Sequence, residues 1–369
     1  MEHPIIDVDS HVLEPIGLWQ EYLEPQYKDR AIRWAKDDRG LEYMEIDGRP
    51  AKQFMLRNGW LGSPLTPGQR PFEDRVKTTL GVADGGERLQ VLDKEGIDIT
   101  LLYPTLGIQW EPEFEDFKLA AAHTRAYNSW ITDMCKPYSS RLVPVAHVVV
   151  SDVKEGAREL ERAAGLGARG AMISGRPING TPYGDPVYDP FWARAQDLGM
   201  PVALHVMGYP EHVGYRLYPD TSPKVAWWGF VTLALDVVIG FTTLFQGAVF
   251  ERFPNLKIVV LEAACGWLPF WLDRMDEYQE LFGYATRMKL KPSEYFRRQC
   301  WISFEPGEKK VPETMKFIGA DRFMWAGDYP HTDSVSEPVK LLKEMLSPLP
   351  QEDRWKVMGD TAVELYRLG

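Results

Sequence analysis

Residues 5–12 read IIDVDSHV, an apolar β-branched run broken by Asp7, Asp9 and His11. Residues i and i+2 of a strand share a face, so these three polar groups can point the same way. A core solvates neither carboxylates nor an imidazole, so the strand has to end at a site. Short apolar runs ending in this way recur along the chain. They read IDITLLYP (97–104), RLVPVAHVVV (141–150), RGAMISG (169–175), MPVALHV (200–206), LKIVVLEA (256–263), QCWISFE (299–305) and RFMWAGD (322–328). With the first run they make eight strands. Between them lie amphipathic stretches of helical period such as FKLAAAHTRAYNSWITDMC (117–135) and VKEGARELERAAG (153–165), several followed by Gly. Eight strand-helix units predict a (β/α)8 TIM barrel.

The expected barrel is distorted by two insertions within one domain spanning 1–369. The first, near residues 30–80, contains LEYMEIDGRPAKQF (41–54), where Asp47-Gly48 between extended flanks signals a hairpin. The second, residues 208–230, is rich in Tyr, Trp, Pro and Gly. Helices such as DRWKVMGDTAVELYRLG (353–369) end the chain.

Composition narrows the function. The chain has 369 residues, 44% hydrophobic, with a net charge of −11. It has no Lys/Arg run, so neither nucleic acid nor an anionic membrane is an expected partner. A small-molecule substrate is. Cys135, Cys265 and Cys300 are widely spaced and form no CxxC pair, which argues against a disulfide framework or a thiolate zinc site and for reducing cytoplasm. No signal-peptide pattern opens the sequence. The longest apolar stretch, residues 226–250, carries Asp236 and Gln246 and reads as a buried helix rather than a membrane span. A homodimer is a further expectation.

In a barrel the chemistry gathers at the C-terminal ends of the strands. Those ends supply Asp9 and His11, then His205, Glu262, Glu305, and finally Asp328 and His331. Any one would be unremarkable. His205 alone reads as a core histidine and Asp328 as a cap, but their convergence on one rim reads as a metal site. Mixed imidazole and carboxylate donors suit zinc, manganese or iron. His123 and His147 are better explained structurally, and Cys265 has no evident base beside it.

The motifs IDVDSH, GMPVALH, GAVFERFPNLKIVVLE and FMWAGDYPH, in this order and spacing, resemble the amidohydrolase superfamily. Within it the resemblance is to the amidohydrolase 2 branch, which includes aminocarboxymuconate-semialdehyde decarboxylase and aromatic acid decarboxylases. The resemblance covers nearly the whole chain. It implies a barrel with a catalytic divalent metal held by Asp9, His11, His205 and Asp328. It also implies an arginine that grips a substrate carboxylate, for which Arg57 in FMLRNGW is the candidate. Trp227 and Trp228, with Tyr209, Tyr215 and Tyr218, are candidates to line a substrate pocket.

This chain departs from the branch after the sixth strand, where Glu262 stands in EAACGW instead of the usual acid-base histidine. Strand four ends in Ser174-Gly175, so it has no lysine to bridge two metals as a carbamate. Two readings of Glu262 follow. As a general base or acid beside one metal, with His331 and Asp328 close by, it fits a hydrolase or decarboxylase acting on a carboxylated or acylated, hydrophobic or cyclic molecule. As a ligand together with His331, it raises the donor count to six, enough for a dinuclear iron or manganese oxygenase. A non-catalytic ligand-binding barrel is the third alternative.

Overall fold

The computed structural model describes residues 2–38, 40, 42–52, 72–208, 223–331 and 334–369, with the side chains of 223–226 and 228 excepted. Eight parallel strands form one sheet. They are β1 (Ile6–Val12), β5 (Ile99–Pro104), β6 (Leu142–His147), β7 (Gly170–Ser174), β8 (Val202–His205), β9 (Ile258–Leu261), β10 (Cys300–Phe304) and β11 (Phe323–Trp325), neighbours in that order. The intervening β2 (Arg33–Lys36), β3 (Glu42–Ile46) and β4 (Arg49–Pro50) make a separate antiparallel sheet. All eight barrel strands fall where the apolar runs put them. Nearly every position in them is buried, as expected of strands covered on both faces.

Helices follow the strands: α1 (Gly85–Glu95), α2 (Phe117–Cys135), α3 (Val153–Leu166), α4 (Asp189–Leu198), α5 (Pro223–Gln246), α6 (Leu268–Thr286), α7 (Val311–Ile318), α8 (Pro338–Leu346) and α9 (Thr361–Tyr366). Asp84, Asp116 and Asp152 cap α1, α2 and α3 by accepting backbone N–H groups of the first turn. Gly96, Gly167 and Gly199 end α1, α3 and α4 in the left-handed region.

The hairpin is present. Asp47 and Gly48 both have positive φ, joining β3 to β4 as a type I′ turn requires. Its sheet docks on the barrel through Arg30, which is paired with Asp47 at 2.6 Å and Asp116 at 2.9 Å, and through Arg49, paired with Glu113 at 3.0 Å.

Between β1 and β11 the barrel closes without a regular ladder. Main-chain bonds cross this seam from Asp328 N to Asp9 O (2.9 Å) and from His11 N to Tyr329 O (2.7 Å). Asp7 adds a side-chain bond, its Oδ1 accepting from Gly327 N at 2.9 Å. Below it Arg88, fully buried, donates to Ser10 Oγ and to the His11 carbonyl and lies over the Tyr329 ring. Helix α5 is buried on one face only, through Val237, Phe241, Leu244 and Phe245. The expectation of a wholly buried helix is therefore corrected for its other face.

Candidate metal centre

Asp9, His11, His205 and Glu262 meet at the mouth, each offering one ligand atom, all within 4.8 Å of one another. Asp9 and His11 come from one strand because they are i and i+2 on its inward face. The Nε2 atoms of His11 and His205 stand 3.5 and 3.6 Å from Asp9 Oδ1, and Glu262 Oε2 is 3.2 Å from His205 Nε2. Asp328 joins through His11 Nε2 at 3.3 Å from its Oδ1. His331 stacks on His11 with ring centroids 4.0 Å apart. It is held between Asp328 Oδ1, 2.8 Å from its Nδ1, and Thr105 Oγ1, 2.9 Å from its Nε2.

The backbone aims these groups. Glu262 and Asp328 both occupy the left-handed region, where non-glycine residues are uncommon and strained. Each side chain thereby turns off the end of its strand toward the barrel axis. Glu262 N–H is secured by Ser303 Oγ at 3.2 Å.

The site fits a cation. His11 Nδ1 donates to the Pro104 carbonyl at 2.9 Å. His205 Nδ1 donates to the Val206 carbonyl at 2.7 Å. Each Nε2 is thereby left as the lone pair facing the centre. Both Asp9 oxygens, both of these Nε2 atoms and Glu262 Oε2 are buried without a hydrogen-bond partner. Unpaired buried donors and acceptors at one point are costly unless an ion completes them.

Charge in the protein alone is correspondingly unbalanced. Burial and then the Asp328 charge push Glu262 well above the usual carboxylate range. Burial would also raise Asp9, but the charges of His205 and His11 outweigh it and hold Asp9 below that range. Burial, followed by the charges of His11 and His205, keeps His331 well below the usual histidine value. Asp7 is pushed up to about 7 by burial.

The remaining candidates lie elsewhere. Glu305 is outside the ligand group, and its N–H donates to Glu308 Oε1. Trp227 is 66% exposed on α5. Arg57 and Tyr209, Tyr215 and Tyr218 lie outside the described residues, as does the side chain of Trp228. Asp7 does not join the ligands but closes the seam. Sequence reasoning missed Tyr103, buried under the site with its ring 5.7 Å from that of His205, and Thr105, the partner of His331. Both follow from the end of β5, whose apolar letters carry no signal of a site.

The sequence model described as Amidohydrolase matches residues 69–368. The chain belongs to the amidohydrolase family. Among curated amidohydrolase relatives, gamma-resorcylate decarboxylase of Rhizobium radiobacter is 25% identical over 295 residues, covering 76% of this chain and 86% of that one. Among solved structures, an amidohydrolase from Mycobacterium avium subsp. paratuberculosis superposes with a TM-score of 0.83 at 21% identity, covering 99% of this chain and 100% of that one. The 5-carboxyvanillate decarboxylase of Novosphingobium aromaticivorans, determined with manganese and a nitro-substituted hydroxymethoxybenzoic acid, superposes at 0.74 with 19% identity, covering 99% and 96%. The amidohydrolase barrel expected from the motifs is thus the fold observed. None of these relatives supports the dinuclear oxygenase alternative, in which Glu262 and His331 complete a second site.

Proposed function

We propose that this protein is a metal-dependent decarboxylase of small aromatic or cyclic carboxylic acids. The observation that carries this reading is the ring of unpartnered atoms on Asp9, His11, His205 and Glu262 at the barrel mouth. The decarboxylase relatives supply the substrate class. Asp9, His11, His205 and Asp328 would hold one divalent cation, with manganese favoured by the structural relative. Bound there, the cation supplies Lewis acidity and an anchor for substrate oxygens.

The chain's own groups do the rest. Glu262 is 14% exposed, facing the mouth, and its Oε2 is held near His205. As the carboxyl–carbon bond breaks, its electron pair stays on the ring carbon, Glu262 delivers a proton to that carbon, and carbon dioxide leaves. His331, fixed between Thr105 and Asp328, orients the Asp328 carboxylate.

Glu262 in place of the branch's histidine favours a second reading. In it Glu262 takes a proton from water, and the reaction is hydrolysis of an acylated substrate. One assay separates the two. Manganese-loaded protein is offered hydroxybenzoic acids bearing a second ring substituent, and esters and lactones of the same rings. Carbon dioxide release supports decarboxylation. Acid release from the esters with no carbon dioxide overturns it for hydrolysis, and turnover of neither panel overturns both substrate classes.

A further inference from the structure

Glu14 lies just past the end of β1 and is fully buried. Its carboxylate accepts three consecutive main-chain N–H groups. Oε2 takes those of Thr105 at 3.1 Å and Leu106 at 2.9 Å, and Oε1 takes that of Gly107 at 2.9 Å. Burying a carboxylate is costly, and charge-assisted bonds at both oxygens are what offset the cost. The three donors open the short helical turn Gly107–Trp110 after β5, where Leu106 at the cap position offers no side-chain bond. Glu14 caps that turn from another strand.

The same loop touches or steadies every histidine of the centre. The Pro104 carbonyl accepts the Nδ1–H of His11 at 2.9 Å, and Thr105 Oγ1 is 2.9 Å from His331 Nε2. The Ile108 carbonyl accepts Gly208 N–H at 3.0 Å. That bond fixes the chain just beyond Val206, whose carbonyl holds His205 Nδ1 at 2.7 Å. The far end of the loop is secured as well, by Glu111 Oε2 at 2.7 Å from His147 Nε2. The turn sits tightly between its anchors, for a Cβ on Gly107 would stand 2.7 Å from Pro104 Cβ and 2.9 Å from His147 Nδ1.

We infer that Glu14 is a positioning residue of the metal centre, acting through the loop 104–108 to set the direction in which His11, His205 and His331 face the cation. The inference rests on the one-cation reading given above. A carbonyl that receives a histidine's Nδ1–H fixes both the tautomer and the line of the Nε2 lone pair, so a displaced Pro104 turns His11 off the centre. Glu14 itself touches no ligand. Glutamine cannot replace it, because its amide nitrogen would meet a backbone N–H whichever way the side chain turned. The competing account makes Glu14 a core clamp with no bearing on the metal. The two differ in what happens to metal binding, since both expect a loss of stability.

The test measures manganese affinity of the full chain by competition with a fluorescent chelator, and the visible absorption of the cobalt(II)-loaded protein as a report of ligand geometry. Glu14→Gln is compared with Asp98→Asn, which weakens a carboxylate bond to Ile5 N (2.8 Å) at the opposite end of β5. Urea unfolding gives the stability of each. The expected result is a folded Glu14→Gln that binds manganese about 10–100-fold more weakly, the usual effect of losing an outer partner of metal ligands, with a shifted cobalt band. Asp98→Asn should match the wild type in both. If Glu14→Gln fails to fold, Gly107→Ala displaces the same loop with Glu14 intact and should weaken manganese in the same way. Wild-type affinity and cobalt spectrum in folded Glu14→Gln, or in Gly107→Ala when that variant stands in, overturns the inference. So does an equal change in Asp98→Asn. A wild type that takes up no manganese overturns the one-cation reading and this inference together, whereas one manganese in the wild type and an indifferent Glu14→Gln overturns this inference alone.

Discussion

Glu262 Oε2 lies 3.2 Å from His205 Nε2 at the end of the sixth barrel strand. A carboxylate in that place can either bind the cation or work beside it. The proposed function gives it the second role. Glu262→Gln should then keep about one metal per chain and lose turnover by about 10²–10⁴-fold, the usual contribution of a positioned proton transfer. Metal analysis together with kcat decides this. Loss of metal in the variant would make Glu262 a ligand.

His331 tests the same boundary from the other side. It touches Asp328 and Thr105 and stacks on His11, so its loss should loosen the Asp328 carboxylate without removing a ligand. His331→Gln is expected to keep one metal while metal affinity falls by about 10–100-fold, as for other outer partners of metal ligands. Competition with a chelator measures the change. An unaltered affinity would remove His331 from the support of the site.

The barrel seam gives a prediction about stability. A Cβ on Gly327 would stand 2.7 Å from Asp7 Oδ2, inside the contact that secures β11 to β1. Gly327→Ala should cost about 1–3 kcal/mol, the usual effect of overpacking. It should also lower metal affinity, because Asp328 is the next residue. Urea unfolding of the metal-free protein, followed by metal titration, checks both effects. A variant equal to wild type in both would show that the seam gives way freely.

The strands could be read from sequence because a buried parallel strand is a nearly unbroken apolar run, and its polar terminus stands out against it. Asp9, His11, His205 and Glu262 were visible for that reason. What Asp7 does was not visible, since i+2 spacing gives the face a side chain points to but not the partner it finds, here Gly327 N. Neither Arg88 nor Tyr103 has any local signature, because Arg88 acquires its place only when α1 meets Ser10 and His11 of β1, and Tyr103 only when β5 lies beside β1. The bare face of α5 was hidden by composition. Apolar residues on every side of a helix read as core, and only packing separates the covered face from the bare one.

His123 supplies a pH dependence outside the site. Burial holds it down to about 4, although its bond to the Leu119 carbonyl and the charge of Asp47 oppose the shift. The folded value is below the ordinary one of 6.5, so as pH falls from 6.5 toward 4 the unfolded chain takes up a proton that the folded chain refuses. Stability should therefore fall through that window, by up to about 1.4 kcal/mol per pH unit from this group. Below about pH 4 its contribution levels off. In His123→Gln the slope of unfolding free energy against pH should be shallower by about one proton over the same window, whatever the variant's absolute stability. Denaturant titrations at about pH 4.5 and about pH 6.5 measure it, and equal slopes would contradict the assignment.

The central claim is one divalent cation held by Asp9, His11, His205 and Asp328, and metal stoichiometry reaches it most directly. Wild-type protein purified without added metal, and again after loading with manganese, is compared with His11→Ala by elemental mass spectrometry, with thermal unfolding as the check on folding. About one metal per wild-type chain and almost none in a cooperatively folding His11→Ala is the expected result. Full occupancy in His11→Ala, or a wild type that takes up no manganese, would contradict the account.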